Sequence, residues 1–300
     1  VPGIGASGGG ANRWIRAIGP LPRWQPSEAA KLGVILYFSA RLSKRNTEKK
    51  RKFNRRTYTG RFLEWLDGIG FLELVPYIAA LGIILFLLFL QPHLSAIILI
   101  LAIAASILFA AGIKLRWFGL GALMMAAGMW TISQSGSYMA DRIAIWQDPW
   151  SDIQGEGYQI IQSLYAIGSG GLLGLGIGNS RQKFLYLPEL QNDYVFPIVC
   201  EELGFIGASM ILLLFALLII RGYWLALHAR DRFGALLIVG ITTQVAVQVF
   251  LNVGVVTNLL PPTGISLPFF SYGGTALVIQ LVEMGIVLSV SRQIPAPRAG

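Results

Sequence analysis

The chain has 300 residues, of which 54% are hydrophobic and only 13% charged, and its mean hydropathy is +0.61. A soluble domain of this size needs far more polar surface, so the composition excludes one and indicates an integral membrane protein. The formal charge of +9 does not mark a nucleic-acid binder: ten of the 24 Lys/Arg fall between Arg41 and Arg61, opposed only by Glu48, and in a membrane protein such a block sets topology first and attracts anionic headgroups second.

The sequence starts Val-Pro-Gly, with no methionine and no signal-peptide pattern, and is expected to be an N-terminally truncated piece of a longer protein. Arg13 and Trp14 come first among the residues of interest. A weak span runs from about Ser27 to Leu42, its hydropathy lowered by Glu28 and Lys31. The stretch Phe62 to Phe71 reads as an interfacial segment. Apolar runs at 74–90, 94–113 and 117–133 are long enough to span. A polar stretch, 136–193, follows; a loop of this length is functional or disordered, and its Trp146, Trp150, Tyr158 and Tyr165 favour a folded one over the membrane surface. Three more spans, 197–220, 234–257 and 273–291, complete a set of seven. The expected fold is an all-α, polytopic membrane helix bundle, one domain over 1–300 with one large extracytoplasmic loop.

Lys/Arg asymmetry orients the bundle. The connections 41–61, 114–116 and 221–232 and the tail after Arg292 hold 17 Lys/Arg, against six in the N-terminal segment and the long loop. Seven spans let the two groups alternate, so the basic connections and the C-terminus are expected inside and the long loop outside.

Cys200 is the one cysteine, so no disulfide forms within the chain. His93 and His228 have no ligand spacing, which leaves no zinc site. Glu28 and Lys31, three apart, share a helix face and can pair, either as a structural ion pair or facing a substrate. Gln244, Gln248 and Asn252 recur every fourth residue, a stripe suited to interhelical hydrogen bonds. Glu283, deep in the last span with Gln280 one turn before it, needs a partner, a proton or a wet cavity. In the Pro/Gly-rich connection 258–274, Ser271, Tyr272 and the amides of Gly273 and Gly274 could receive an anion, or the segment is a re-entrant turn. The glycines from Gly168 to Gly178 lack dinucleotide-binding spacing and suit close packing or a mobile loop. Asp193 precedes an apolar run; by spacing alone it is a helix cap, although a carboxylate at such a boundary can serve as a general base.

Taken together, the motifs resemble one family. They are Arg13-Trp-Ile with Gln25-Pro-Ser-Glu-x-x-Lys31; Leu187-Pro-Glu189 with Asn192-Asp-Tyr-Val-Phe-x-x-x-x-Glu-Glu-Leu-Gly204; and Leu260-Pro-x-Thr-Gly-x-x-Leu-Pro-Phe-x-Ser-Tyr-Gly-Gly274. The chain is similar throughout to the SEDS proteins (shape, elongation, division and sporulation), which include FtsW, RodA and SpoVE. Arg181-Gln-Lys-Phe-x-Tyr-Leu-Pro-Glu189 looks closer to the FtsW/SpoVE branch. His93 departs from an aspartate that many members carry. The resemblance implies ten spans, of which this chain holds the last seven. It also implies a glycosyltransferase of the bacterial cytoplasmic membrane that polymerises lipid II into undecaprenyl-pyrophosphate-linked glycan. Asp193 would be the general base. Arg13, Lys31, Arg181 and Lys183 would meet the pyrophosphate, with Trp14, Gln25, Ser27, Glu28, Glu189, Ser271 and Tyr272 completing the substrate site. No cofactor is firmly implied beyond a divalent cation, Mg or Mn, at the pyrophosphate. A class B penicillin-binding protein would be the partner, alongside membrane lipids. A lipid II flippase and a non-catalytic scaffold are the competing expectations.

Overall fold

The computed structural model describes residues 5–8, 11–15, 24–45, 57–91, 93–133, 138–182 and 193–294. A short antiparallel hairpin, β1 (Gly5–Gly8) and β2 (Ala11–Ile15), precedes the helices. This is an addition to the all-helical expectation, and Trp24 extends it through a bridge to Ile15.

Helices α1 (Pro26–Ser43), α3 (Phe71–Leu90), α4 (Leu94–Ala110) and α5 (Arg116–Ser133) coincide with the first four expected spans. The last three are α8 (Val195–Leu227), α9 (Arg232–Val256) and α10 (Gly274–Ser291). Among the described residues, four of these, α3, α8, α9 and α10, are long and apolar enough to cross a membrane, while α4 is apolar but shorter. In α1 the charges of Glu28, Lys31 and Arg41 lower the hydropathy, yet Glu28 and Lys31 are buried among its neighbours. The interfacial segment is α2 (Tyr58–Ile69), where Phe62 and Trp65 stack and stay exposed. Its last carbonyls are capped from the α4–α5 turn: Lys114 Nζ donates to Gly68 O at 3.1 Å, and Arg116 and Trp117 Nε1 donate to Ile69 O.

The core gathers around α9. Phe38, Ile100, Ile103, Ile107, Ile238 and Ile241 join α1, α4 and α9 in one cluster, and Val245, Val249 and Val256 join α9 to α8 in a second. Cations close the basic end of the bundle. Arg45 Nη1 and Arg232 Nη2 donate to Ala111 O at 2.8 and 2.9 Å, at the negative C-terminus of α4, and Arg45 also pairs with Glu73.

The long loop is folded. It contains α6 (Tyr138–Gln147), a single 3-10 turn (Pro149–Asp152) and α7 (Glu156–Ser169). Ile160, Ile161 and Ala166 bury one face of α7, and Ser163 Oγ donates to Val256 O at 2.7 Å. The glycines after α7 are explained by backbone-to-backbone packing. Leu175 N and Gly176 N donate to Glu201 O and Glu202 O, while Phe205 N and Ile206 N donate back to Gly171 O and Leu172 O. Gly204 breaks α8 with φ 67° to allow this. A Cβ there would lie 2.3 Å from Gly174 N, and one on Gly170 would lie 2.0 Å from Cys200 O.

Gly204→Ala therefore combines a left-handed backbone with a clash against backbone, and is expected to lower stability by more than about 2 kcal/mol. Gly168→Ala, whose Cβ meets nothing within 4 Å, stays within about 1 kcal/mol of the parent. Melting curves of the detergent-solubilised protein compare the two; equal melting would refute the packing account of this loop.

Candidate functional site

Asp193 stands immediately before α8, but it is not the cap. Tyr194 occupies the N-cap position, and no side-chain bond closes that end. The Asp193 backbone is fixed instead from α9: Asn252 Nδ2 donates to Asp193 O at 2.8 Å and to Ile265 O at 2.7 Å. One buried amide thus ties the start of α8 to the 258–273 connection. The Asp193 carboxylate faces Gly264, whose φ is +67°; a Cβ on that glycine would come within 3.1 Å of Oδ2. Asp193 is half-buried, whereas Tyr194 is buried. Burial, and then the neighbouring Asp193 carboxylate, push the Tyr194 phenol well above its usual value, with Arg142 acting in the opposite direction.

Arg142, on α6, is the residue that sequence reasoning passed over. It was counted only as a loop cation. Here its Nη1 donates to Pro262 O at 2.8 Å, two residues from Gly264, and its charge is felt at Tyr194. Trp146, one turn later, donates from Nε1 to Asn258 O at 3.1 Å, so α6 is docked along the same connection that faces Asp193. A cation within an otherwise acidic half-loop was the available signal.

The Gln25 to Lys31 motif reaches this place through α4. The Gln25 amide nitrogen lies 3.1 Å from His93 Nε2. His93 caps α4, with Nδ1 accepting from Ala96 N at 3.2 Å. An aspartate at an N-cap makes the same kind of bond. Two residues on, Ser95 Oγ donates to Thr263 O, next to Gly264. The Ser27 hydroxyl is buried without a hydrogen-bond partner among the described residues.

Lys31 Nζ pairs with Glu28 Oε2 at 2.6 Å, with Lys31 only 2% exposed. Such a pair adds little net stability, but removing one partner costs about 3–5 kcal/mol because the other charge stays buried. Lys31 and Glu28 also act electrostatically on Glu283 of α10. Glu283 is fully buried and accepts from Gln244 Nε2 at 2.8 Å. Gln280 Nε2 donates to Gln248 Oε1 at 3.2 Å, and its own Oε1 accepts from Phe269 N at 3.1 Å. The stripe on α9 is therefore taken up by helix-to-helix and helix-to-turn bonds.

The remaining expected residues are spread more widely. Arg13 and Trp14 lie on β2. Arg181 is exposed; its N–H, with that of Gln182, donates to the Glu201 carboxylate at 3.0 and 3.4 Å, and Ser180 Oγ donates there too. Buried Glu201 thus anchors the strip that leads toward Asp193. Lys183 and Glu189 lie outside the described residues. Ser271 Oγ accepts from Leu267 N at 2.8 Å, inside its own turn, and Tyr272 is 78% exposed. No group of three or more His, Cys, Asp or Glu suited to a metal ion occurs among the described residues.

The stage V sporulation protein E of Bacillus subtilis strain 168 is 42% identical over 295 residues, covering 97% of this chain and 74% of that protein. A probable peptidoglycan glycosyltransferase FtsW from Geobacter sp. strain M18 is 39% identical over 295 residues, covering 98% and 75%. A solved peptidoglycan synthase complex that coordinates polymerization and crosslinking contains a chain similar at a TM-score of 0.68 and 30% identity, covering 98% of this chain and 77% of that one. The crystal structure of the Thermus thermophilus rod shape determining protein RodA aligns at a TM-score of 0.58 with 26% identity, covering 98% and 73%. The family model FtsW/RodA/SpoVE, described as a cell cycle protein, matches residues 1–295. Together with the bundle and the three motifs in their expected order, that match establishes that the chain is embedded in the membrane and belongs to the FtsW/RodA/SpoVE family.

Proposed function

We propose that this chain is a peptidoglycan glycosyltransferase that polymerises lipid II at the outer face of the cytoplasmic membrane, in division or sporulation. The observation that carries this reading is the setting of Asp193: a half-buried carboxylate on a backbone clamped by Asn252, opposite Gly264 on the connection whose Pro262 carbonyl Arg142 holds. A general base needs a fixed position and open access to its proton donor. Asp193 takes the proton from the acceptor sugar hydroxyl as that oxygen attacks the anomeric carbon of the donor. The bond from that carbon to the pyrophosphate oxygen breaks, and undecaprenyl pyrophosphate leaves with the bonding pair.

The charge that develops on the leaving group requires cations placed in advance. Arg142, bonded to Pro262 O two residues from Gly264, is the first described candidate. Lys31, held by Glu28, is the second, and Arg13, Arg181 and Lys183 are proposed to join them. Trp14, Gln25, Ser27, Glu189, Ser271 and Tyr272 are proposed to shape the sugar and lipid path. A Mg or Mn ion at such a site would keep several waters and bind the substrate phosphates with one or two carboxylates. Lys/Arg asymmetry supports placing the long loop outside and the C-terminus inside. A class B penicillin-binding protein is the proposed transpeptidase partner. A translocase reading would draw on Glu283 and the α9 stripe, but their engagement between helices favours a structural role for them.

Asp193→Asn is expected to keep its melting temperature and lose at least about 100-fold in polymerisation of labelled lipid II, read as glycan product on a gel; product at the parent level would sink the mechanism. Arg142→Gln is expected to lower turnover about tenfold or more, with Arg142→Lys recovering part of it. If the lysine variant is as impaired as the glutamine one while both melt like the parent, the charge is not what Arg142 contributes.

A further inference from the structure

The end of α8 remote from Asp193 carries a cavity that the polymerase reading does not use. It has a volume of about 610 Å³ and opens between α8 and α10, with α9 as its floor. That size falls within the range of about 300–1,000 Å³ typical of small-ligand sites. Its walls are mostly apolar, with Leu218, Leu225, Met284 and Leu288 among them; Arg221, Thr242 and Ser291 are the polar lining residues. The floor is set by a close helix crossing. A Cβ on Gly222 would lie 2.4 Å from Thr242 Oγ1, so α8 and α9 approach there as small-residue membrane interfaces do.

The mouth has its own chemistry. The Arg221 guanidinium sits 4.2 Å from the centroid of the Trp224 ring, and Trp224 stacks on His228 with ring centroids 4.2 Å apart. Residues 221, 224 and 228 share one helix face. Trp224 is 39% exposed, and Arg221 is exposed as well. Trp and Arg at the end of a spanning helix lie at headgroup depth. Exposed Arg230 and Arg292 lie close in sequence to the lining residues on α8 and α10. The nearest acid in sequence, Asp231, spends its carboxylate capping α9, accepting from Gly234 N at 3.0 Å. The rim is therefore basic above an apolar slot.

We propose that this cleft is a binding site for an anionic diacyl glycerophospholipid, its phosphate on Arg221 and its acyl chain between α8 and α10. A zwitterionic lipid fits the slot equally well, but its ammonium offsets the attraction of its phosphate to the basic rim, so charge complementarity selects the anionic class. The site is separate from Asp193 and does not depend on the reaction proposed there.

Native mass spectrometry of the delipidated full chain, titrated with phosphatidylglycerol, phosphatidylcholine and a polyprenyl phosphate, tests this. Phosphatidylglycerol is expected to bind about fivefold tighter than phosphatidylcholine. Arg221→Gln should abolish that preference, Arg221→Lys should retain it, and Ser291→Trp, which fills the slot, should weaken both phospholipids. Equal binding of the two phospholipids to the parent overturns the proposal. So does a preference unchanged by Arg221→Gln, phosphatidylglycerol binding unchanged by Ser291→Trp, or displacement of phosphatidylglycerol by equimolar polyprenyl phosphate.

Discussion

A polar group buried in a membrane bundle has no water to fall back on and must find its partner inside the protein. In this chain α9 meets that demand for most of its neighbours. Gln244 binds Glu283, Gln248 binds Gln280, and Asn252 binds the backbone of both Asp193 and Ile265. Thr243 adds a bond with Tyr223 at 2.9 Å, and Val256 O receives the Ser163 hydroxyl of α7. Side-chain bonds of this kind contribute about 0.6–2 kcal/mol each in membranes. Their greater consequence is register. Apolar packing alone would let α8 and α10 slide along α9, whereas paired amides fix each at one height.

That register is what brings distant parts of the sequence to one place. Asp193, Gly264, Arg142 and Gln25 come from four separate segments, joined through backbone carbonyls. Asn252 holds Asp193 O and Ile265 O, Arg142 holds Pro262 O, and Ser95 holds Thr263 O. The 258–273 connection is the hub, and its irregularity is the reason. A helix spends its carbonyls internally, while a Pro/Gly-rich turn leaves them free for side chains of α4, α6 and α9. The positive φ angles at Asn258, Gly264 and Phe269 mark where the chain bends to do so.

The sequence carried these parts unequally. Spanning helices were legible because hydropathy is a property of each segment by itself. The Glu28–Lys31 pair and the α9 stripe were legible because helical spacing alone puts their members on one face. Helix α7 was also written there, in Ile160, Ile161, Leu164 and Ile167, but a polar, glycine-rich surrounding made the whole stretch read as loop. Arg142 could not be found this way. Its partner is a carbonyl 120 residues away, and no local pattern encodes such a contact. The hairpin of β1 and β2 escaped for a related reason, since two strands of 4 and 5 residues carry too little alternation to register.

The same contrast explains why Asp193 reads as a cap in sequence and as something else in place. A capping aspartate turns its carboxylate onto the amides of its own helix and is neutralised there. In this chain the α8 terminus starts one residue later, at Tyr194, and Asn252 holds Asp193 by its backbone carbonyl. Glu201, inside α8, anchors Ser180, Arg181 and Gln182. The backbone at Asp193 is thus positioned by a neighbouring helix. With its backbone clamped from α9, Asp193 faces the 258–273 connection at Gly264.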